Sequence, residues 1–212
     1  MKAQIASLLI AALAVIMPTA SQGNVINPTS DGSLYVCGGC TVVNDGAYVL
    51  TSGYIQGEIK FSTASIAGLI TKVLLTINPY GLPLGAKEVA IYGYGTSIGQ
   101  LDESDANAGT FLGTLVLPDT LGFGQDAFFD VTSFVSLTHS PYLAFNLRTT
   151  GTDVFSSLEY NYGHPSQLLV SAVAEPSDAA LLLAAFACLL VASNRRFASR
   201  GAQRKTAIQH IA

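Results

Sequence analysis

An all-β chain, a two-sheet jelly-roll sandwich of about nine or ten strands, is predicted by three observations. β-Branched and aromatic residues alternate with Ser, Thr and Gly through the middle of the chain. Only 11% of the residues are charged, and glycine is frequent. Short alternating runs recur with turn residues between them, at the spacing of a sandwich or barrel. Setting the two termini aside leaves about 150 residues, enough for one domain with its own core.

The chain opens on Lys2, the apolar run Ile5 to Met17, and then Pro18, Thr19, Ala20 and Ser21. A basic start, a hydrophobic centre and small residues at the exit make a secretory signal peptide over residues 1–23, cut after Ala20 or Gly23. A run of thirteen residues is too short to span a bilayer comfortably. Cys37-Gly38-Gly39-Cys40 follows. Redox catalysis needs a helix after the first cysteine, whereas Thr41, Val42 and Val43 suit a strand, and zinc needs four ligands. In an oxidising compartment Cys37 and Cys40 are expected to close as a small structural disulfide.

The domain is read as residues 24–173. Leu34 to Val36 and Ala47 to Leu50 are its first short strands. From Tyr54 to Phe61 the alternation puts Ile55, Gly57, Ile59 and Phe61 on one face and Tyr54, Gln56, Glu58 and Lys60 on the other, which predicts a strand with one wet face. Ile70 to Ile77 turns Val73, Leu75 and Ile77 inward and ends at the turn Asn78-Pro79-Tyr80-Gly81. Glu88 to Tyr94 buries Val89 and Ile91 and keeps Tyr92 and Tyr94 together on the opposite face. Leu101 to Gly109, with Asp102, Glu103 and Asp105, reads as an exposed acidic loop; calcium is a candidate there, but no complete calcium-loop pattern is present. Strands resume at Phe111 to Leu117, Ala127 to Val131, Tyr142 to Leu147, Val154 to Tyr160 and Leu168 to Val173.

Several of these blocks resemble, in order, the signatures of DNRLRE-type modules. They are Gly57-Glu58-Ile59-Lys60-Phe61-Ser62, Ile70-Thr71-Lys72-Val73-Leu74-Leu75-Thr76-Ile77, Phe129-Asp130-Val131-Thr132-Ser133-Phe134-Val135, Phe155-Ser156-Ser157-Leu158-Glu159 and His164-Pro165-Ser166-Gln167-Leu168-Leu169-Val170. The resemblance covers roughly Leu34 to Val173. It implies a jelly roll of the carbohydrate-binding-module kind on a secreted protein, with Asp130 and Glu159 holding turns and strand ends.

After the domain come Ala174, Glu175, Pro176 and Ser177, an apolar run from Ala179 to Ala192, and Arg195, Arg196 and Arg200. Arginines after an apolar segment resist crossing a bilayer and act as a stop signal, leaving the C-terminus cytoplasmic. Pro176 suits the first turn of a helix, and Glu175, Ser177 and Asp178 supply capping oxygens. This order resembles the PEP-CTERM sorting signal, with Ala174 in place of its first proline. The resemblance implies an exosortase-type sorting enzyme as partner and processing within residues 174–200, ahead of a basic tail over 201–212. Fourteen apolar residues at 1.5 Å each reach about 21 Å, short of the hydrocarbon core. The alternative is a permanent membrane anchor with snorkelling arginines.

Between Asn24 and Val173 stand four bases, Lys60, Lys72, Lys87 and Arg148, against twelve acids, a net charge of −8 that repels nucleic acid. No catalytic constellation is legible: Ser, His and Asp residues are present, but His139 and His164 lie near prolines in expected turns. No cofactor is expected. The predicted function is an exported, non-catalytic cell-surface or matrix protein. Extracellular polysaccharide is its candidate partner, through stacking on Tyr80, Tyr92, Tyr94, Tyr160 and Tyr162. The rivals are a passive surface protein, whose tyrosines merely form cross-strand pairs, and a polysaccharide hydrolase.

Overall fold

The computed structural model describes residues 22–37, 40–46, 48–79, 88–118, 121, 124–158 and 164–173, with 182, 185, 186 and 189. The compact β unit is Ser21–Val173. Its strands are β1 (Gln22–Ile26), β2 (Ser30–Cys37), β3 (Cys40–Asn44), β4 (Tyr48–Thr51), β5 (Ile55–Ser62), β6 (Leu69–Ile77), β7 (Glu88–Thr96), β8 (Thr110–Val116), β9 (Ala127–Asp130), β10 (Tyr142–Arg148), β11 (Asp153–Ser156) and β12 (Gln167–Val173). One sheet runs β1-β12-β6-β9, a second runs β3-β2-β5-β10-β7-β8, and β11 pairs with β4. All the ladders are antiparallel. The all-β sandwich expectation therefore holds, with twelve strands among the described residues where nine or ten were expected.

Among the described residues an apolar cluster lies between the two large sheets. Val73, Leu75 and Ile77 of β6 and Leu168 and Val170 of β12 join Ile59 and Phe61 of β5, Val89 and Ile91 of β7, and Leu143, Phe145 and Leu147 of β10. These are the residues that the alternation turns inward, because successive strand side chains point to opposite faces. Phe145 sits at the centre, with its ring edge-on to Phe61 at 6.0 Å and to Phe134 at 5.5 Å. Burying one such side chain contributes about 1.5–3 kcal/mol.

Two local readings need correction, and one element is added. Residues 132–137, for which no element was expected, form α1 (Thr132–Leu137), which starts where Asp130 Oδ1 accepts the Thr132 N–H at 2.9 Å and buries Val135 against the core. The β-like composition of Thr-Ser-Phe-Val-Ser-Leu gives way to that turn and to the apolar contact. β1 begins at Gln22, paired to Ala172 of β12, ahead of the expected domain start. The outer face of β5, expected to be wet, is buried: Gln56, Glu58 and Lys60 are all shielded.

The leader residues 1–21 fall outside the described residues, as do Ala174 to Ser177, the three arginines and most of the apolar C-terminal run. Within that run Leu182, Ala185, Phe186 and Leu189 are helical. Among the described residues no helix is long and apolar enough to cross a membrane.

Candidate functional site

Register brings the polar residues together. β5 pairs with β2 and β10, and β10 with β7, so Gly32, Glu58, Asn146 and Tyr92 form one row across the outer face of the six-stranded sheet. Ser30, Lys60, Ala144 and Tyr94 form the next. Residues 97–109, which include the expected acidic loop Leu101 to Gly109, lie across these rows as a strap. Gly32 permits the approach, since a Cβ there would meet Leu101 Cδ1 and the Asn44 carbonyl oxygen at 2.6 Å each.

The strap is held by its own polar groups. Lys60 Nζ donates to the carbonyl oxygen of Gln100 at 2.7 Å and pairs with Asp105 at 2.7 Å to Oδ2 and 2.9 Å to Oδ1. Gln56 Nε2 donates to Asn107 Oδ1 at 2.6 Å, and the Asn107 N–H returns to Gln56 Oε1 at 2.9 Å. Those two bonds hold Asn107 at φ 59°, a left-handed conformation that asparagine tolerates better than most residues. Arg148 Nη2 donates to the Ala108 carbonyl at 2.8 Å. A short 3₁₀ turn, Glu103–Asp105, aims Asp105 inward: Asp102 caps it, and the Asp102 N–H donates to Asp105 Oδ2 at 2.7 Å. The Lys60 side chain is fully buried and that of Asp105 is 4% exposed, so the loop is solvated only in part.

Proton accounting follows from the distances. Tyr94 Oη lies 2.8 Å from Glu58 Oε1 and 2.6 Å from Asp105 Oδ1, yet a phenol carries one hydrogen. One of the two carboxyls must therefore be protonated. It is Glu58: burial pushes its pKa from 4.5 up to about 8, and the Asp105 charge adds to the rise against the opposing bonds from Tyr94 and Asn146. Glu58 donates to Tyr94, Tyr94 donates to Asp105, and Lys60 balances the remaining negative charge. The Tyr94 phenol is itself pushed far above its ordinary range, by burial first and the neighbouring carboxyls next. Asn146 Nδ2 closes the network on Glu58 Oε2 at 2.9 Å and Gln56 Oε1 at 3.1 Å.

At the edge of this network Arg148 Cζ stands 3.7 Å from the Tyr92 ring centroid, a cation–π contact, while its Nε donates to Asn146 Oδ1 at 2.7 Å. The Tyr92 ring also meets that of Phe111 at 5.4 Å, and Phe111 is exposed.

Of the candidate sugar-stacking tyrosines, the structure brings Tyr92 and Tyr94 to one face as expected, but half-buried and engaged. Tyr80, Tyr160 and Tyr162 lie outside the described residues. Cys37 is disulfide-bonded and faces Cys40 across the β2–β3 ladder. Among the described residues no group of three His, Cys, Asp or Glu is placed to hold a metal ion, and Asp105 is committed to Lys60. Asp130 holds the Thr132 turn: Oδ1 accepts the Thr132 hydroxyl at 2.6 Å and its N–H at 2.9 Å, and these bonds, the hydroxyl's first, keep the carboxyl below the usual range. His164 Nε2 lies 3.4 Å from Asp126, which also accepts from Asn78 Nδ2 at 3.0 Å. His139 lines a groove of about 520 Å³ with Ile66, Ile70 and Pro141.

Sequence reasoning missed the assembly of Gln56, Glu58, Lys60, Asp105, Asn146 and Arg148. The available signal was polar residues at i, i+2 spacing on three strands, Gln56-x-Glu58-x-Lys60, Tyr92-x-Tyr94 and Asn146-x-Arg148, which mark one polar stripe once the strands are placed side by side. Comparison with protein-family models returns no match, and comparison with curated proteins returns none.

Proposed function

We propose that this chain is an exported, non-catalytic surface or matrix component whose β-sandwich, a jelly roll of the carbohydrate-binding-module kind, serves as a structural module. The observation that carries the non-catalytic reading is the sealed network. Glu58, Tyr94, Asp105 and Lys60 have the protonation pattern of an acid–base set, but they are bonded to one another beneath the strap, away from any substrate. That arrangement also counts against the hydrolase alternative, which needs its carboxyls in an open cleft.

Export is supported by the Cys37 disulfide, since such bonds persist in oxidising compartments. Leader cleavage after Ala20 leaves β1 whole, whereas cleavage after Gly23 removes the partners of Ala172 and Ser171. The C-terminal segment is proposed as a PEP-CTERM-like signal recognised by an exosortase-type enzyme, with a permanent anchor as its rival. Mass spectrometry of the mature protein separates them: processing predicts an end near Glu175 to Ser177, and an end at Ala212 refutes it.

Polysaccharide contact is the second reading, favoured by the exposed Phe111 ring against Tyr92. Retention on insoluble polysaccharides that falls when Tyr92 and Phe111 are changed to alanine supports it; absence of retention leaves the structural module alone.

A further inference from the structure

From the placement of Lys60 against Asp105 we propose that the two side chains condense spontaneously into an intramolecular amide, a covalent bridge from β5 to the strap with loss of one water. This inference is independent of export and of sugar binding. A primary amine and a carboxyl group are held in contact at 2.7 and 2.9 Å, with water excluded, and held reactants of this kind react at effective molarities no solution reaches. Burying the separate ions is unfavourable, and the amide removes both charges at once.

The two oxygens of Asp105 are differentiated in the way the reaction requires. Oδ2 accepts the Asp102 N–H at 2.7 Å, a fixed donor for the negative charge that develops as Nζ attacks Cγ. Oδ1 accepts the Tyr94 hydroxyl at 2.6 Å, the proton source for the oxygen that must leave. Glu58, 2.8 Å from Tyr94 Oη, stands behind that hydroxyl as a proton reservoir. The balance is internal. Nζ gives up two of its three ammonium protons, the N–C bond forms, the Cγ–Oδ1 bond breaks, and Oδ1 leaves with two protons as water. Glu58 passes a proton through Tyr94 and is restored by one that Nζ sheds. No oxidant, metal or activating group enters. The one N–H remaining on the amide has the Gln100 carbonyl, now 2.7 Å from Nζ, to bond.

Tyr94 is the catalytic residue of this step, and Glu58 acts through it. The test is intact mass spectrometry of the expressed chain, reduced and denatured, against the mass calculated between its determined termini, followed by peptide mapping. The expected result is a deficit of one water, with a protease-resistant joint between the peptide containing Lys60 and the peptide containing Asp105. Lys60→Arg and Asp105→Ala should show full mass. Asp105→Asn should reach the same cross-linked mass as wild type, because ammonia then leaves in place of water. In chain recovered insoluble at full mass and then refolded, bridge formation should slow as pH rises, whereas Glu58→Gln should be slow at every pH. Wild-type protein at full mass, with Lys60 cleavable by trypsin, overturns the proposal. So does a water deficit that maps to a cyclic imide at Asp31 or Asp45, each of which precedes a glycine.

Discussion

At β5 and β10, in the middle of the six-stranded sheet, both faces are buried, and by opposite means. The inner face is closed by Phe61, Phe145, Leu143 and Ile91, packed against the second sheet without a charge in the cluster. The outer face is closed by a thirteen-residue strap over an ion pair, a neutral carboxylic acid and two carboxamides. An apolar face tolerates exchange among shapes of similar volume. A polar face requires every donor and acceptor to find its partner, because an unpaired buried group forfeits more than a formed bond gains. The inner face therefore supplies stability, and the outer face fixes which loop covers the sheet and in what register.

The comparison can be broken first at the ion pair. Measured against wild-type chain at full mass, in which the pair is still ionic, Asp105→Ala leaves Lys60 buried without its counter-charge and should lower unfolding free energy by about 3–5 kcal/mol in urea titration. Replacing both residues by apolar ones of similar size should recover most of that loss, whereas a face that depended on the pair for stability would not recover. On the inner face Phe145→Ala should cost about 3–5 kcal/mol by the same measurement, without rescue from any polar change.

A pH series sharpens the contrast. Glu58 holds its proton more tightly folded than unfolded, so between about 4.5 and about 8 the native state carries the extra proton. Stability from this group is fully present below that window and lost as pH rises through it. The falling slope should vanish in Glu58→Gln and persist in Phe145→Ala. A smaller effect, about 1–3 kcal/mol, is expected for Gly32→Ala, which must push Leu101 and the Asn44 backbone apart. Its signature is faster amide exchange in residues 97–109 with the inner face unaltered.

The same contrast explains how far the sequence could be read. Val73, Leu75 and Ile77, and Leu143, Phe145 and Leu147, announce their strands because the period-2 pattern and the buried face coincide. The identical pattern in Gln56, Glu58 and Lys60 shows that they share a face, but not what covers it. Their cover comes from residues 45 positions along the chain, in the case of Lys60 and Asp105, and no local periodicity carries that pairing. The strap looked solvated because Asp102, Glu103 and Asp105 are acidic. Only Asp105 turns inward, through a cap that spans three residues. α1 was hidden by its β-like composition, and β1 by its place beside a segment that reads as a leader.

The strap is a layer tied to the sheet through Asp105, Asn107 and the Gln100 and Ala108 carbonyls. Native-state hydrogen exchange at the Asp102 and Asn107 amides tests it most directly, since these N–H groups donate to Asp105 Oδ2 and Gln56 Oε1. Protection approaching that of the β5 and β10 amides is expected, lost together in Asp105→Ala. Exchange of both amides at the rate of an open loop, in the intact protein, would contradict it.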